Sequence, residues 1–349
     1  MAENTACIII ILIHSIYAGM FLLSKAAFNV GMNTFIFIFY RQASAAIFLA
    51  PVALFLERKT APPISLIIFV KIFMLSLVGI TMSLNIYGVA LKYTTATLAA
   101  ATTNSLPVIT FFLALLFRME KVNVKTKAGL SKLAGVALCV GGVATIAFYK
   151  GPFLKLLLHH HIFNFQLHAH ADSSNSNWIK GVFLMLLSNT CWGLWLVIQG
   201  RILLSYPSKL LLITIQCFFS AIQSFVIAII DERNPSEWVL GWNIRLLSVA
   251  YCGILVTGVT FYLQAWVVER KGAVFFAMTT PMVLIFTMLS SAFLFGEITS
   301  LGSVLGAILL VGGLYCVLWG KNKEQISNST SNDDLHKERS RSEVNEDMV

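Results

Sequence analysis

Residues 102–112 read TTNSLPVITFF, and residues 276–286 read FAMTTPMVLIF. In each stretch a proline, Pro107 or Pro281, interrupts a long apolar run just after polar residues, and the two prolines stand 174 positions apart. The same offset relates Gly19 to Gly193, Gln42 to Gln216, Glu57 to Asp231 and Gly79 to Gly253 without a gap. Past the prolines the register shifts to 171, where Gly135, Gly141 and Gly142 match Gly306, Gly312 and Gly313. The chain is an internal duplication.

Each copy holds five apolar segments: Cys7–Leu23, Thr34–Leu56, Phe69–Leu91, Ala96–Phe117 and Gly129–Tyr149, then Ile179–Gln199, Leu210–Ile230, Asn243–Val267, Ala273–Phe295 and Leu301–Trp319. About 20 apolar residues suffice to cross a bilayer as a helix, and backbone groups in lipid must be paired within the protein. The expected fold is therefore all-α, with ten transmembrane helices. Five is odd, so the chain leaves the first copy on the opposite side from where it entered, and the second copy sits inverted. Inverted repeats build alternating-access carriers whose site lies near the midplane where the repeats meet.

Composition agrees. The 349 residues are 57% hydrophobic and 12% charged, with a mean hydropathy of +0.79, which excludes a soluble globular domain. The first segment lacks a basic leader and reads as a retained helix. The net charge of +9 does not signal nucleic acid, because the basic residues sit in short loops and act as orientation signals. With a cytosolic N-terminus, the cytosolic loops hold 12 Lys and Arg against seven in the opposite loops, and the tail adds five. Both termini are therefore placed in the cytosol. No clear vacuolar sorting signal is present, which ranks the plasma membrane above the vacuolar membrane.

The first repeat spans residues 6–149 and the second 179–319. Between them, residues 150–178 form a polar connector with His159, His160, His161, His168 and His170. A run of histidines in a polar loop is weak ground for a metal site, and neither metal nor cofactor is expected. Residues 320–349 are rich in Ser, Asn and charge, and read as a disordered tail that cannot bury a core. The six cysteines all lie in apolar segments without a CxxC pair and read as small packing residues. Ser131 and Gly135 match Gly302 and Gly306 as small residues four apart. Such spacing lets helices approach closely, here helices five and ten of one chain, with a homodimer contact as the alternative.

The strings Ala18-Gly19-Met20, Gly31-Met32, Tyr40-Arg41-Gln42, Leu91-Lys92-Tyr93-Thr94-Thr95-Ala96-Thr97, Arg118-Met119-Glu120-Lys121-Val122 and Tyr149-Lys150-Gly151-Pro152 resemble the plant nodulin-like, WAT-related (UMAMIT) family. That family belongs to the EamA-domain proteins of the drug/metabolite transporter superfamily. In the second half Tyr206-Pro207, Glu232-Arg233-Asn234, Lys271-Gly272, Gly313-Leu314-Tyr315 and Leu318-Trp319-Gly320-Lys321 agree. Two positions depart from the pattern. Ala273 follows Gly272 where the family often has proline, and His14 stands where it often has Gln. The resemblance implies a bidirectional facilitator that moves amino acids, often outward, with some relatives handling auxin or other metabolites.

The candidate binding residues gather around the prolines. Proline removes a backbone donor and frees a carbonyl one turn back, and paired interruptions at corresponding places in two repeats point to a binding site. Thr102, Thr103, Asn104, Thr279 and Thr280 lie beside Pro107 and Pro281. Neutral amides and hydroxyls serve both ends of a zwitterion without burying an unpaired charge. Asn85, Asn189, Gln216 and Gln264 extend the set, and Trp192, Trp195 and Trp266 are candidates to wall the cavity. Each of these residues also has a plainer reading as an interhelical contact or interface anchor. Arg41 lies about two turns inside its helix, where a charge more often faces a cavity than lipid. Lys25 either holds a carboxylate or snorkels to headgroups. Glu120 and Glu297 read as solvated helix ends ahead of a gate salt bridge. His14 is the ionisable side chain placed near a midplane, and it can titrate near physiological pH.

The leading expectation is a small-molecule facilitator for amino acids, with an auxin-like organic acid as the alternative substrate. A non-transporting membrane sensor or scaffold is the alternative of another class. No nucleophile elbow, P-loop or intramembrane carboxylate pair supports an enzyme.

Overall fold

The computed structural model describes residues 2–57, 62–91, 93, 102–120, 125–149, 152–154, 175–206, 208–295 and 299–346. The five histidines of the connector, residues 94–101 around the start of the fourth segment, and Glu297 lie outside the described residues, as does the side chain of Lys25.

The first half contains α1 (Ala2–Asn29), α2 (Thr34–Leu56), α3 (Leu66–Leu75), a π-helical turn (Ser76–Met82), α4 (Ser83–Leu91), α5 (Leu106–Leu116) and α6 (Lys127–Phe148). The second contains α7 (Asn175–Ser205), α8 (Lys209–Asp231), α9 (Ile244–Ala250), a π-helical turn (Tyr251–Val259), α10 (Thr260–Lys271), α11 (Ala273–Met278), α12 (Pro281–Phe295) and α13 (Leu301–Glu346). Among the described residues eight helical spans are long and apolar enough to cross a bilayer. The two shorter apolar stretches, Leu106–Leu116 and Ala273–Thr287, are the fourth element of each half. Ten crossings result, eight unbroken in helical backbone and two interrupted. The departures from an all-α chain are β1 (Phe153–Leu154) and β2 (Thr299–Ser300), which pair antiparallel.

Short polar caps set the helix starts. Asn33, Thr126 and Asn243 accept from backbone N–H groups of α2, α6 and α9, which satisfies donors that the first helical turn leaves free. Gly272, at φ +90°, separates α10 from α11 by a single residue, a conformation that costs glycine little. The two π-helical turns occupy equivalent places in the repeats and contain the matched Gly79 and Gly253. A Cβ on Gly79 would lie 2.4 Å from Trp195 Cβ, and one on Gly253 2.6 Å from Ser44 Cβ. Glycine is therefore needed for the close approach of these turns to α7 and α2.

The second helices of the two halves, α2 and α8, pack antiparallel. Glu57, at the end of α2, accepts from the Leu210 and Leu211 amides at 3.0 and 3.1 Å and from the Ser208 hydroxyl. At the other end of the pair, Asn33 donates to Asp231 at 3.3 Å. Each helix thus ends in a carboxylate beside the N-terminus of its counterpart, where the helix dipole favours negative charge.

Helices α6 and α13 repeat the arrangement. A Cβ on Gly135 would sit 2.6 Å from Gly313 O, and one on Gly142 3.0 Å from Gly306 O. Gly135 corresponds to Gly306 and Gly142 to Gly313, so the contacts exchange partners as a two-fold axis requires. The small residues are used within the chain. Glu120 is not a solvated helix end, because it is only 12% exposed and pairs with Lys321 at 2.9 Å and with the buried Lys132 at 3.9 Å. Lys132 also binds Glu324. Helix α13 continues to Glu346, beyond the point where composition suggested a disordered tail. A single helix pairs its own backbone and needs no core of its own.

Gly312 has no heavy atom within 4 Å of its would-be Cβ, whereas at Gly313 the Cys139 sulfur would be 2.6 Å away. Gly312→Ala is expected to leave thermal stability in detergent unchanged, while Gly313→Ala lowers it by about 1–3 kcal/mol through overpacking. Equal melting temperatures for the two variants would contradict the close α6–α13 contact. Glu57→Gln is expected to cost about 1–2 kcal/mol by weakening a charged cap, read in the same melting experiment.

Candidate functional site

The prolines do not kink continuous helices. They open new ones after a turn. In the first half Asn104 and Ser105 form the turn, α5 begins at Leu106, and Pro107 lies in its first turn. In the second, α11 ends at Met278, Thr279 and Thr280 form the turn, and Pro281 opens α12. Proline's missing N–H is harmless at a helix start, where it would have been unpaired anyway. The turns tighten to three-residue hydrogen bonds. Ser105 N donates to Thr102 O at 2.9 Å, Thr279 N to Phe276 O at 3.0 Å, and Thr280 N to Ala277 O at 3.1 Å. Side chains add to them, with Ser105 Oγ donating to Thr102 O at 2.6 Å and Thr279 Oγ1 to Phe276 O at 2.7 Å.

The first helix of each half reaches the break of the other. Asn189 on α7 donates to Thr102 O at 2.7 Å. His14 on α1 meets Thr279 Oγ1 at 2.7 Å and stacks on Phe276 at a centroid distance of 5.8 Å. The two sets of contacts cross between the repeats in opposite directions, so both breaks lie on the boundary between halves.

A second group surrounds Arg41, which is 6% exposed. Its Nε donates to Thr257 Oγ1 at 2.7 Å, while the Thr257 hydroxyl donates to Cys252 O at 2.9 Å. Among the described residues no carboxylate pairs with this guanidinium. Tyr17 joins it to His14. The Tyr17 hydroxyl donates to Gln264 Oε1 at 3.0 Å, lies beside Thr260 and Arg41, and its ring stands 6.3 Å from the His14 ring. Burying a charged side chain in a membrane helix costs about 3 kcal/mol or more. Such a cation is retained where it faces a polar cavity or a ligand.

The aromatic residues divide. Trp192, Trp195 and Phe261 cluster with centroids 4.9–5.6 Å apart, and Trp195 Nε1 donates to Gln216 Oε1 at 3.2 Å. Trp266 instead lies 4.4 Å beneath the Arg270 guanidinium near the end of α10, apart from the other two tryptophans. Asn85 turns its amide to Thr81 O in its own helix at 2.7 Å. Thr102, Asn104, Thr279 and Thr280 are all buried.

Tyr17, Thr257 and Thr260 escaped the sequence reading. The signal for the second and third was the Gly-containing stretch after Gly253, whose π-helical turn rotates Thr257 toward Arg41. Tyr17 stands one turn after His14, and its role comes with the long-range bond to Gln264.

The EamA-like transporter family matches residues 4–148 and again 179–319. The WAT1-related protein At5g64700 of Arabidopsis thaliana is 57% identical over 344 residues, covering 97% of this chain and 96% of that protein. The Arabidopsis thaliana protein WALLS ARE THIN 1 is 37% identical over 321 residues, covering 88% and 81% of the two chains. One solved structure, "Crystal structure of protein", aligns with a TM-score of 0.62 at 16% identity over 90% of this chain and 97% of that one, a likeness of fold alone. Two family matches that divide the chain where its repeats divide, and relatives aligned over almost its whole length, lead to one conclusion: this chain belongs to the plant WAT1-related proteins of the EamA-like transporter family.

Proposed function

We propose that the protein carries amino acids across the plasma membrane in either direction, by alternating access of its two inverted halves, with both termini in the cytosol. The observation that supports this reading best is the pair of broken helices, each held by the first helix of the opposite half. Broken helices offer carbonyls and hydroxyls near mid-membrane. Rocking one half against the other alters the surroundings of both breaks together. Thr102, Thr103, Asn104, Thr279 and Thr280 supply neutral donors and acceptors, and Arg41 supplies a cation for a carboxylate. The prolines fix the two turns.

The aromatic group at Trp192, Trp195 and Phe261 favours a second reading, an aromatic acid of the auxin type, because flat rings stack on such surfaces. The two readings differ in what the carrier moves. Tracer flux into and out of liposomes holding the purified protein separates them, using an amino-acid panel plus indole-3-acetate with and without a pH gradient. Amino-acid flux that ignores the gradient is the expected result. Flux of indole-3-acetate alone supports the second reading, and no flux from folded protein points to a membrane sensor or scaffold instead.

In the same liposomes Asn104→Leu and Thr280→Val are expected to lower flux about tenfold, the scale of one lost hydrogen bond to a charged group, while folding and insertion persist. Unchanged flux in both variants would remove these residues from the site.

A further inference from the structure

Hydrogen-bond bookkeeping at His14 fixes which nitrogen carries the proton. A hydroxyl has one hydrogen, and that of Thr279 goes to Phe276 O. The Thr279 oxygen therefore accepts, and His14 Nε2 is the donor across their 2.7 Å contact. In the neutral ring this leaves Nδ1 as a bare acceptor, and Nδ1 is buried with no hydrogen-bond partner. The opposite imbalance holds at Gln264. Its Oε1 accepts from Tyr17, while its Nε2 is a buried donor with no partner. Arg41 commits Nε to Thr257, and no other described group bonds its two terminal nitrogens. Tyr17 bonds Gln264 and its ring stands 6.3 Å from that of His14, while Arg41 is held to the same helix as Gln264 through Thr257, seven residues earlier. Unpaired buried polar atoms such as His14 Nδ1 and Gln264 Nε2 cost about 1–3 kcal/mol each, so the site calls for a group that supplies what is missing.

The two repeats are unequal at this point. At the 174 offset His14, Tyr17, Arg41, Thr257 and Gln264 become Ser188, Cys191, Ile215, Ser83 and Ala90. Ser83 and Ser188 bond each other directly, Ser83 Oγ to Ser188 O at 3.0 Å and Ser188 Oγ to Ser83 O at 2.8 Å. The five equivalent residues include no cation and no buried acceptor without a partner.

We propose that His14, Tyr17, Arg41 and Gln264 form a recognition centre, present once per chain, that reads a carboxylate and a nearby N–H on the same solute. The Arg41 fork and Gln264 Nε2 hold the carboxylate. His14 Nδ1 accepts the N–H, and Tyr17 positions the other three. The inference rests on the transport reading above and assigns chemical roles within it. A zwitterionic amino acid and an indole acid both carry the required pair of groups.

The test measures binding to the purified full-length protein, by tryptophan fluorescence and thermal shift, for L-phenylalanine, phenethylamine, 3-phenylpropanoate and indole-3-acetate. L-phenylalanine is expected to bind at least about tenfold more tightly than phenethylamine, which lacks the carboxylate, or 3-phenylpropanoate, which lacks the N–H. Indole-3-acetate shows which carrier of the N–H fits better. Arg41→Gln is expected to erase the advantage over phenethylamine. His14→Phe keeps the ring stacked on Phe276 but removes both ring nitrogens and with them the acceptor, and is expected to erase the advantage over 3-phenylpropanoate. Where Arg41→Gln fails to fold, Arg41→Lys keeps the charge, loses the fork and is expected to reduce the carboxylate advantage severalfold. Ser188→Ala, at the equivalent corner, is expected to change none of these ratios. Equal wild-type affinities for L-phenylalanine and the two compounds lacking one group, or His14 and Arg41 variants that keep both advantages, would overturn the assignment. Discrimination without flux in liposomes leaves the centre standing and defeats the transport reading. Flux without discrimination does the reverse.

Discussion

Inside a bilayer a backbone carbonyl or amide that leaves a helix must find its partner within the protein. The described backbone turns at Asn104–Ser105, just before α5, and at Thr279–Thr280, between α11 and α12, and much of the architecture around them answers that constraint. The turns tighten their own hydrogen bonds, the prolines occupy positions where no donor is needed, and Asn189 and His14 arrive from the opposite halves. The breaks are tolerable because the two repeats are interleaved. Each break pairs part of its polar groups itself, and the opposite half adds a further hydrogen bond to it.

The scaffold obeys the pseudo-two-fold relation closely. Helices α2 and α8 exchange capping carboxylates, and α6 and α13 exchange glycine contacts. The two π-helical turns fall at matching places. These interactions fix how equivalent elements meet across the axis. They use short side chains or none, so they leave little room for divergence between copies. The copies depart from it at the recognition centre, where His14 and Arg41 correspond to Ser188 and Ile215. An exact two-fold site presents every group twice. A small solute with distinct ends needs distinct groups, and the duplicated frame supplies them by substitution in one copy.

The ion cluster of Glu120, Lys132, Lys321 and Glu324 has a different character. It gathers just past the end of α5, at the start of α6 and where the apolar stretch of α13 ends. Removing one partner would leave Lys132, 1% exposed, as a buried charge without its full set of partners, a costly state. Its position outside the middle of the bundle ties it to anchoring of the last helix rather than to recognition of a solute.

Much of this was legible in the sequence. The 174-residue offset, the odd number of apolar segments and the matched prolines determined the ten crossings, the inversion and the location of the breaks. Apolar length and glycine spacing are local or periodic properties, and a bilayer leaves few ways to satisfy them. The residues beside the prolines were legible for the same reason. Tyr17, Thr257 and Thr260 were not, because their importance comes from which helices lie side by side. Tyr17 meets Gln264 across 247 positions and Arg41 meets Thr257 across 216. Trp266, alike in the sequence to Trp192 and Trp195, lies under Arg270 instead. The sequence by itself determined which elements exist and how they are threaded through the membrane. Only the tertiary structure decided which polar groups share a neighbourhood and which of their hydrogen bonds are left unmade, since an unpaired donor or acceptor is a property of its surroundings and not of its residue type.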